Sequence, residues 1–255
     1  VKSVAMRELP PWPRDTANEP NRPAVLYNAM IAPLVPFPFR GVLWYQGESN
    51  RSRAEQYARL FPAMIRDWRA AFDRRLPFYF VQIAPYDYGD ALGAVEVRWA
   101  QTKALELADT GMVVTLDIGE EHDIHPRNKQ EVGRRLALHA LSGCYGEDAV
   151  ADGPAPVALQ RVGQALRVRF DQPIAEVPGA DGASGEPLLA GFELAGADGV
   201  FAAATARLSN GAVLVESDTV PEPLHVRYAW SPVPPVSLRN LGGLPAGPFR
   251  LSLPH

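Results

Sequence analysis

The chain has a single cysteine and no long apolar run, and both shortages limit what it can be. Cys144 has no second cysteine to pair with, so an internal disulfide is excluded. No run of about 18 apolar residues occurs, and the first residues contain no apolar signal region. The sequence therefore predicts no transmembrane helix, and we expect no membrane partner.

The chain also lacks an excess of either charge. It holds 25 lysines and arginines against 29 aspartates and glutamates, with no block or stripe of one sign. A nucleic-acid partner is therefore not expected. Its 255 residues, 47% of them hydrophobic, are typical of a globular protein with one large domain or two ordinary ones. The 25 prolines favour ordered loops and β structure over a helical bundle.

Short apolar runs alternate with helical patterns in the first half of the chain. The runs predict buried strands at residues 42–45, 78–83 and 112–118. Helical spacing of apolar residues predicts helices at residues 52–72, near 95–108 and after Pro126. This alternation predicts an α/β fold with a parallel sheet that is covered on both faces.

Two local signals refine the first helix. Ser52-Arg53-Ala54-Glu55 has the form of a capping box, in which two side chains satisfy free backbone N–H groups. Pro62 interrupts the helix, but the apolar spacing of three and four continues to Phe72. We therefore expect the helix to open at this box and to kink, rather than end, at Pro62.

Glycine, proline and short alternating runs replace the helical pattern after Gly146. Residues 166–170 and 212–215 alternate as half-buried strands do. We therefore divide the chain into an irregular N-terminal segment at 1–26, an α/β core at 27–148, and a small antiparallel, sandwich-like β region at 149–255.

Polar segments follow all three predicted strands of the core. They are Gln46-Gly47-Glu48-Ser49-Asn50, Pro85-Tyr86-Asp87-Tyr88 and Glu120-Glu121-His122-Asp123-Ile124-His125. In open α/β sheets, ligands bind beyond the carboxyl ends of the strands. We therefore expect these three segments to meet at one edge of the sheet and to form a site there.

His125 is the candidate base of this site, because imidazole takes and returns protons near neutral pH. Asp123 would hold the ring in one tautomer and stabilise its charged form. Two other interpretations remain open. Asp123 is also suited to cap the next helix, and His122, Asp123 and His125 with the adjacent glutamates are metal-binding residue types, although their spacing matches no common zinc motif.

The segment after the first strand has several interpretations as well. Ser49 lies where a nucleophile elbow would place a serine, but the second glycine of that motif is missing. The amides of Gln46 and Asn50 are alternatively donors for a developing oxyanion. A plain turn that leads into the helix is the third interpretation.

Several blocks of the sequence resemble the sialate O-acetylesterase family of the SGNH hydrolases, and the likeness extends over nearly the whole chain. The blocks are Leu26-Tyr27-Asn28-Ala29-Met30-Ile31-Ala32-Pro33-Leu34, Gly41-Val42-Leu43-Trp44-Tyr45-Gln46-Gly47-Glu48-Ser49-Asn50, Leu76-Pro77-Phe78-Tyr79-Phe80-Val81-Gln82, Asp123-Ile124-His125-Pro126-Arg127-Asn128-Lys129, Val226-Arg227-Tyr228-Ala229-Trp230 and Asn240-Leu241-Gly242-Gly243-Leu244-Pro245-Ala246-Gly247-Pro248-Phe249.

The resemblance implies a three-layer α/β/α core that removes acetyl groups from sugar hydroxyls with neither a cofactor nor a metal. It implies His125 and Asp123 as catalytic residues and Gln46 as an oxyanion contact. Glu48, Ser49 and Asn50 would then line the oxyanion and substrate side. The implied partner is an O-acetylated sugar or glycan, and the implied location is periplasmic or secreted.

The sequence departs from the family pattern in two places. Many SGNH hydrolases have Asp three residues before the histidine, whereas here that residue is His122. The family's nucleophile lies in an earlier Gly-Gln-Ser-Asn block, and no such block precedes Tyr27. We therefore expect the serine to come from an N-terminal segment that is a separate chain or is missing. The alternative is a non-catalytic carbohydrate-binding or scaffolding fragment.

Overall fold

The computed structural model describes residues 24–89, 92–175 and 188–254. Residues 1–23, which hold most of the irregular segment expected at 1–26, lie outside this part of the chain. Two short helical turns, Tyr27–Ile31 and Ala32–Leu34, precede the core. None of the described helices is long and apolar enough to cross a membrane.

A three-stranded parallel sheet forms the centre of the core. Its strands are β1 (Val42–Tyr45), β2 (Phe78–Val81) and β3 (Thr110–Val113), in that order. All four residues of β2 are buried, because this strand is paired on both edges and covered on both faces. β1 has its predicted range, and β2 begins where expected but ends two residues earlier. β3 overlaps its predicted range only at residues 112 and 113, because it begins two residues and ends five residues earlier than expected.

Three α-helices cover the two faces of this sheet. They are α1 (Ala54–Ala71), α2 (Gly93–Thr102) and α3 (Lys129–Tyr145), and a 3₁₀ turn at Lys103–Glu106 extends α2. Phe78 and Phe80 belong to the apolar cluster of α1 and α2, whereas Val81 packs with Val132 of α3. Alternate residues of β2 therefore face different helices, and the three-layer α/β/α arrangement is confirmed.

The beginning of α1 differs from the expectation. A 3₁₀ segment, Glu48–Arg53, occupies the position of the expected capping box, and α1 begins at Ala54 with no side-chain cap. A capping box needs an extended N-cap residue, which the 3₁₀ segment does not provide at Ser52. α1 continues past Pro62 to Ala71, which confirms that the proline does not end the helix. The kink at Pro62 stays a prediction.

The second half of the chain is antiparallel β structure, as expected. One sheet has the order β4-β5-β10-β9-β6 and the other β12-β11-β7-β8. The strands are β4 (Pro156–Val162), β5 (Ala165–Phe170), β6 (Leu188–Leu189), β7 (Phe192–Ala195), β8 (Ala202–Ala203), β9 (Thr205–Ser209), β10 (Ala212–Glu216), β11 (His225–Tyr228) and β12 (Phe249–Ser252).

One apolar cluster joins the two halves of the chain. It contains Phe80 and Met112 of the parallel sheet together with Val168, Val213 and Phe249 of the antiparallel sheets. The β region therefore packs against the α/β core through shared apolar surface, and the site at the end of the parallel strands is formed beside it.

Candidate active site

The segments that follow β1 and β2 are tied together by one buried amide. Gln101 of α2 donates from Nε2 to the carbonyl oxygens of Gln46 and Val81, at 3.2 and 3.1 Å. Its Oε1 accepts from the backbone N–H of Ile83 at 2.9 Å. The side chain is fully buried, so these bonds satisfy backbone groups that water cannot reach.

The segments that follow β2 and β3 also touch. The backbone N–H of Asp87 donates to the carbonyl of Glu121 at 2.9 Å. Gly119 lies so close to Pro85 that a Cβ on it would come within 2.4 Å of the proline ring. The three strand-end segments therefore meet at one edge of the sheet, as the strand order predicts.

Gln46 is held by a short polar chain. Its Nε2 donates to Oδ1 of Asn50 at 2.8 Å, and its Oε1 accepts from the hydroxyl of Tyr57 at 3.0 Å. An amide nitrogen carries two hydrogens, so one N–H of Gln46 can still donate to another acceptor. The geometry is therefore compatible with the oxyanion contact that the sequence predicts.

Gly47 is required by the backbone at this point. Its φ of +155° is rarely adopted by residues with a side chain, and a Cβ would lie 2.8 Å from Cγ2 of Ile83. The chain therefore turns sharply after β1 and presents Glu48, Ser49 and Asn50 in the 3₁₀ segment Glu48–Arg53.

Glu48 lies among three tyrosines. Burial and, to a lesser degree, the Glu48 carboxylate raise the pKa of Tyr45, Tyr57 and Tyr88 to about 12 each. Arg51 lies over the ring of Tyr88, with its guanidinium carbon 4.6 Å from the centroid. All three phenols therefore keep their protons at neutral pH and can act as hydrogen-bond donors.

Ser49 is exposed in this segment. Within residues 24–89, 92–175 and 188–254, neither its hydroxyl nor the ring of His125 takes part in a hydrogen bond. The sequence expectation that Ser49 is not the nucleophile stays a prediction.

His125 and Asp123 lie in the loop between β3 and α3, and their contact differs from the expected one. Oδ1 of Asp123 accepts a hydrogen bond from the backbone N–H of His125 at 2.9 Å. The carboxylate therefore shapes the backbone turn that carries the histidine. The imidazole itself is exposed, and its orientation by Asp123 stays a prediction.

The helix expected after Pro126 is present as α3, but the alternative in which Asp123 caps it is wrong. The helix begins at Lys129, three residues after Pro126, and its cap is Asn128, whose Oδ1 accepts from the backbone N–H of Glu131 at 3.2 Å. Asp123 lies too far before the helix to cap it, because a cap bonds to the second or third helical residue.

The alternative metal site is not formed in the described part of the chain. No group of three or more histidine, cysteine, aspartate or glutamate side chains is arranged there to hold a metal ion. His122 and Asp123 are therefore not assembled with His125 as a ligand set.

Asp117 anchors the base of the His125 loop, and the sequence reasoning did not identify it. Arg135 of α3 donates to both of its carboxylate oxygens at 2.7 Å, and Arg239 of the β region donates to Oδ2 at 2.7 Å. Burial opposes ionisation, but the hydrogen bonds from the two arginines lower the pKa of Asp117. The sequence signal that could have identified Asp117 is its charge, which directly follows the apolar run that begins at residue 112.

Arg98 of α2 was also missed. Its buried guanidinium donates to the carbonyls of Ile83 and Ala84 after β2, and to those of Ser231 and Pro232 in the β region, at 2.7–3.0 Å. Burial lowers the pKa of Arg98 to about 10, so the side chain remains charged at neutral pH. It joins the edge of the parallel sheet to the β region.

Known proteins of one family are similar to this chain. The family model for carbohydrate esterases described as sialic acid-specific acetylesterases matches residues 13–142. The chain is 37% identical to mouse sialate O-acetylesterase over 179 residues, which are 61% of this chain and 33% of the mouse protein. It is 35% identical to the human sialate O-acetylesterase over 170 residues, 58% of this chain and 32% of the human protein.

A solved structure is similar over a larger share of this chain. It is a carbohydrate acetylesterase from Xanthomonas citri, 40% identical in sequence, with a TM-score of 0.82. The match covers 91% of this chain and 54% of that protein. The chain thus spans about a third of the curated relatives and about half of this structural relative.

Proposed function

Because this chain belongs to the sialic acid-specific acetylesterase family of carbohydrate esterases, we propose that it is part of an enzyme that hydrolyses acetyl esters on sugar hydroxyls. The observation that carries the proposal is the meeting of the three strand-end segments at one edge. This edge brings a held amide, Gln46, and an exposed imidazole, His125, to the carboxyl ends of the same parallel strands.

The serine nucleophile of the proposed reaction comes from outside this chain. No Gly-Gln-Ser-Asn block is present in it, and the chain corresponds to only part of its relatives. We place the serine in an N-terminal portion of the same protein, either as a separate chain or as the preceding part of one longer chain.

His125 would serve as the base in this mechanism. It takes the proton from the serine hydroxyl while the serine oxygen attacks the acetyl carbonyl carbon, and it returns the proton to the departing sugar oxygen. Water, deprotonated by the same imidazole, then attacks the acyl carbon, the bond to the serine oxygen breaks to release acetate, and the imidazolium returns its proton to that serine oxygen. Asp123 would stabilise the imidazolium through the oxygen that does not bond to the backbone N–H of His125.

Gln46 would donate its remaining N–H to the oxygen that becomes negative in the tetrahedral intermediate. Its bonds to Asn50 and Tyr57 fix the amide before substrate binds, which removes the cost of orienting it during the reaction. Glu48, Ser49 and Asn50 would line the side on which the sugar lies. The family resemblance also leads us to propose a periplasmic or secreted location.

Acetate release by the complete protein is the measurement that tests this function. It should release acetate from an O-acetylated sialic acid or from another O-acetylated sugar, and a panel of such substrates identifies the preferred one. An absence of acetate release from all of them, with a folded protein, would favour the alternative of a carbohydrate-binding or scaffolding role.

A further inference from the structure

A cavity lies at the amino ends of β2 and β3, whereas the candidate active site lies at their carboxyl ends. Its volume is about 420 Å³, within the range that small-molecule sites usually have. It is lined by Tyr79 of β2, Thr110 of β3, His139 of α3, Asp152 between α3 and β4, and Asp171 after β5. We call it the His139 cavity.

The imidazole of His139 is held on two sides. It stacks on the ring of Tyr79, with ring centroids 5.4 Å apart and an angle of 22° between the planes. Its Nδ1 lies against the backbone of β3, because a Cβ on Gly111 would come within 2.4 Å of this nitrogen. The residue is only 5% exposed. The other ring nitrogen, Nε2, therefore points away from β3, towards Asp152 and the cavity.

Nε2 of His139 is an acceptor without a donor. Burial lowers the pKa of His139, and the charge of Asp152 and a hydrogen bond to the backbone of Met112 only partly oppose this. The ring is therefore neutral at neutral pH, with its proton on the nitrogen beside β3 and a lone pair on Nε2. Within the described part of the chain, this buried Nε2 has no hydrogen-bond partner. A buried polar atom in this state is destabilising unless a donor reaches it.

Two carboxylates without a basic partner face the same cavity. Oδ1 of Asp152 lies 3.7 Å from Nε2 of His139, which is too far for a hydrogen bond and gives an ion pair only when the ring is protonated. Asp171 accepts from the backbone N–H of Ala155 at 2.8 Å. Neither carboxylate is paired with a lysine or arginine among the residues that the structure describes. The cavity therefore combines negative charge with an imidazole lone pair.

We propose that the His139 cavity binds an alkylammonium group, the charged end of a primary aliphatic amine. One ammonium nitrogen can lie at about 2.9 Å from both Nε2 of His139 and Oδ1 of Asp152, because these two atoms are only 3.7 Å apart. Its N–H groups satisfy the imidazole lone pair, and its charge compensates the carboxylate. A metal ion fits less well, since no group of three ligating side chains is arranged for one in the described ranges.

The rest of the cavity suits the alkyl chain of such a ligand. Ala149, Val150 and Ala151 line it beside Asp152, and Val150 is 62% exposed. The alkyl chain would cover this apolar surface while the ammonium group lies at the imidazole. The inference goes beyond the proposed esterase function and does not depend on it, because no residue of the cavity belongs to the proposed catalytic machinery.

Two sources supply the same chemistry. A small free amine carries an alkylammonium group, and so does the lysine side chain of a protein. Both would donate to His139 and Asp152 in the same way, so the source is decided by which probe binds more tightly.

Titration of the chain with butylammonium near neutral pH, followed by the backbone amide signals in NMR, tests the inference. Binding should saturate at millimolar concentration and shift the amide signals of residues that line the cavity, such as Thr110, Ser142 and Val150. Tetramethylammonium has the charge but no N–H donor, and 1-butanol has a donor but no charge. Each should bind at least about tenfold more weakly than butylammonium.

Asp152→Asn should weaken the binding of butylammonium at least about tenfold, because it removes the charge with little change of shape. Asp148→Asn is the matched control, since Asp148 is exposed in the same segment between α3 and β4 and does not line the cavity. His139→Phe keeps an aromatic ring beside Tyr79 and removes Nε2, so it should weaken binding as well. Should His139→Phe fail to fold, the exposed Asp152 still provides the test.

A second probe, Nα-acetyl-lysine methylamide, separates the two sources. Tighter binding than that of butylammonium assigns the site to a lysine side chain, and weaker binding assigns it to a small free amine; both support the inference. Three results would overturn it. They are no saturable binding of butylammonium at millimolar concentration, equal binding of tetramethylammonium, and unchanged binding in Asp152→Asn.

Discussion

The imidazole of His125 is exposed in the loop after β3, while its backbone N–H is bonded to Asp123. The loop thus fixes the backbone of His125 and leaves its ring exposed. Gln46 shows the opposite arrangement, since its side chain is held by Asn50 and Tyr57.

Replacement of His125 by alanine should reduce turnover of an aryl acetate by the complete enzyme at least about 10³-fold, because both proton transfers are lost. The melting temperature should change little, since the ring is exposed. His122→Ala, in the same loop, is the control and should retain activity. A turnover within tenfold of the unaltered enzyme would remove His125 from the mechanism.

Elements of the fold are joined at the candidate site by charged side chains with several partners. Arg98 connects α2 to the end of β2 and to the β region, whereas Asp117 connects the end of β3 to α3 and to Arg239. Each of these side chains bonds to groups from two other parts of the chain. The loops of the site therefore depend on α2, α3 and the β region for their positions.

Substitution of Arg98 by methionine should destabilise the protein, because it leaves four carbonyls without their donor. An unsatisfied buried acceptor costs about 1–3 kcal/mol, so we expect the free energy of unfolding to fall by at least about 3 kcal/mol. Urea denaturation followed by tryptophan fluorescence measures this. Arg98→Lys should recover only part of the loss, because one ammonium cannot reach all four carbonyls.

The Glu131 carboxylate on α3 should make stability depend on acid pH. Hydrogen bonds from Arg134 and Arg135 lower the pKa of Glu131 from 4.5 to about 2. A lowered pKa contributes stability that is present above the unfolded value and is lost as the pH falls through the folded value. Because Glu131 and Arg134 are partly exposed and solvent screens their attraction, we expect a loss on the order of 1 kcal/mol from this group as the pH falls from 4.5 to 2.

Urea denaturation at pH 6 and pH 3 measures this contribution. In Glu131→Gln the difference in unfolding free energy between the two pH values should be smaller than in the unaltered chain. Glu147→Gln, at an exposed glutamate just after α3, should keep the full difference. An equal pH dependence in Glu131→Gln and in the unaltered chain would contradict the prediction.

At the scale of the whole molecule, the α/β core and the antiparallel sheets share one apolar cluster, and we propose that the serine nucleophile belongs to another part of the protein. The described residues of both halves thus build one apolar core, whereas the proposed site needs a serine from elsewhere. We therefore expect the chain to fold without being catalytically active by itself.

The 255-residue chain alone should fold and show no esterase activity. A serine-directed fluorophosphonate probe should label the N-terminal portion of the complete protein and leave this chain unlabelled. Ser49 is the serine to examine, since it lies at the candidate site, and Ser49→Ala is the control for any labelling. Stoichiometric labelling of Ser49 in the isolated chain, absent from Ser49→Ala, would make the chain a self-sufficient hydrolase.

The sequence by itself determined the elements and their order. The apolar runs at β1, β2 and β3 and the spacing of three and four in α1 are local patterns, and their periods follow from strand and helix geometry. The carboxyl ends of parallel strands lie on one edge, so the meeting of the segments after β1, β2 and β3 followed from the order alone.

Only the tertiary structure decided which side chains hold these segments. Asp117 and Arg239 are 122 residues apart, and Arg98 reaches carbonyls more than 130 residues away, so no local pattern marks either contact. Periodicity fixes which face of an element is buried, but the partner across that face is chosen by packing of the whole chain.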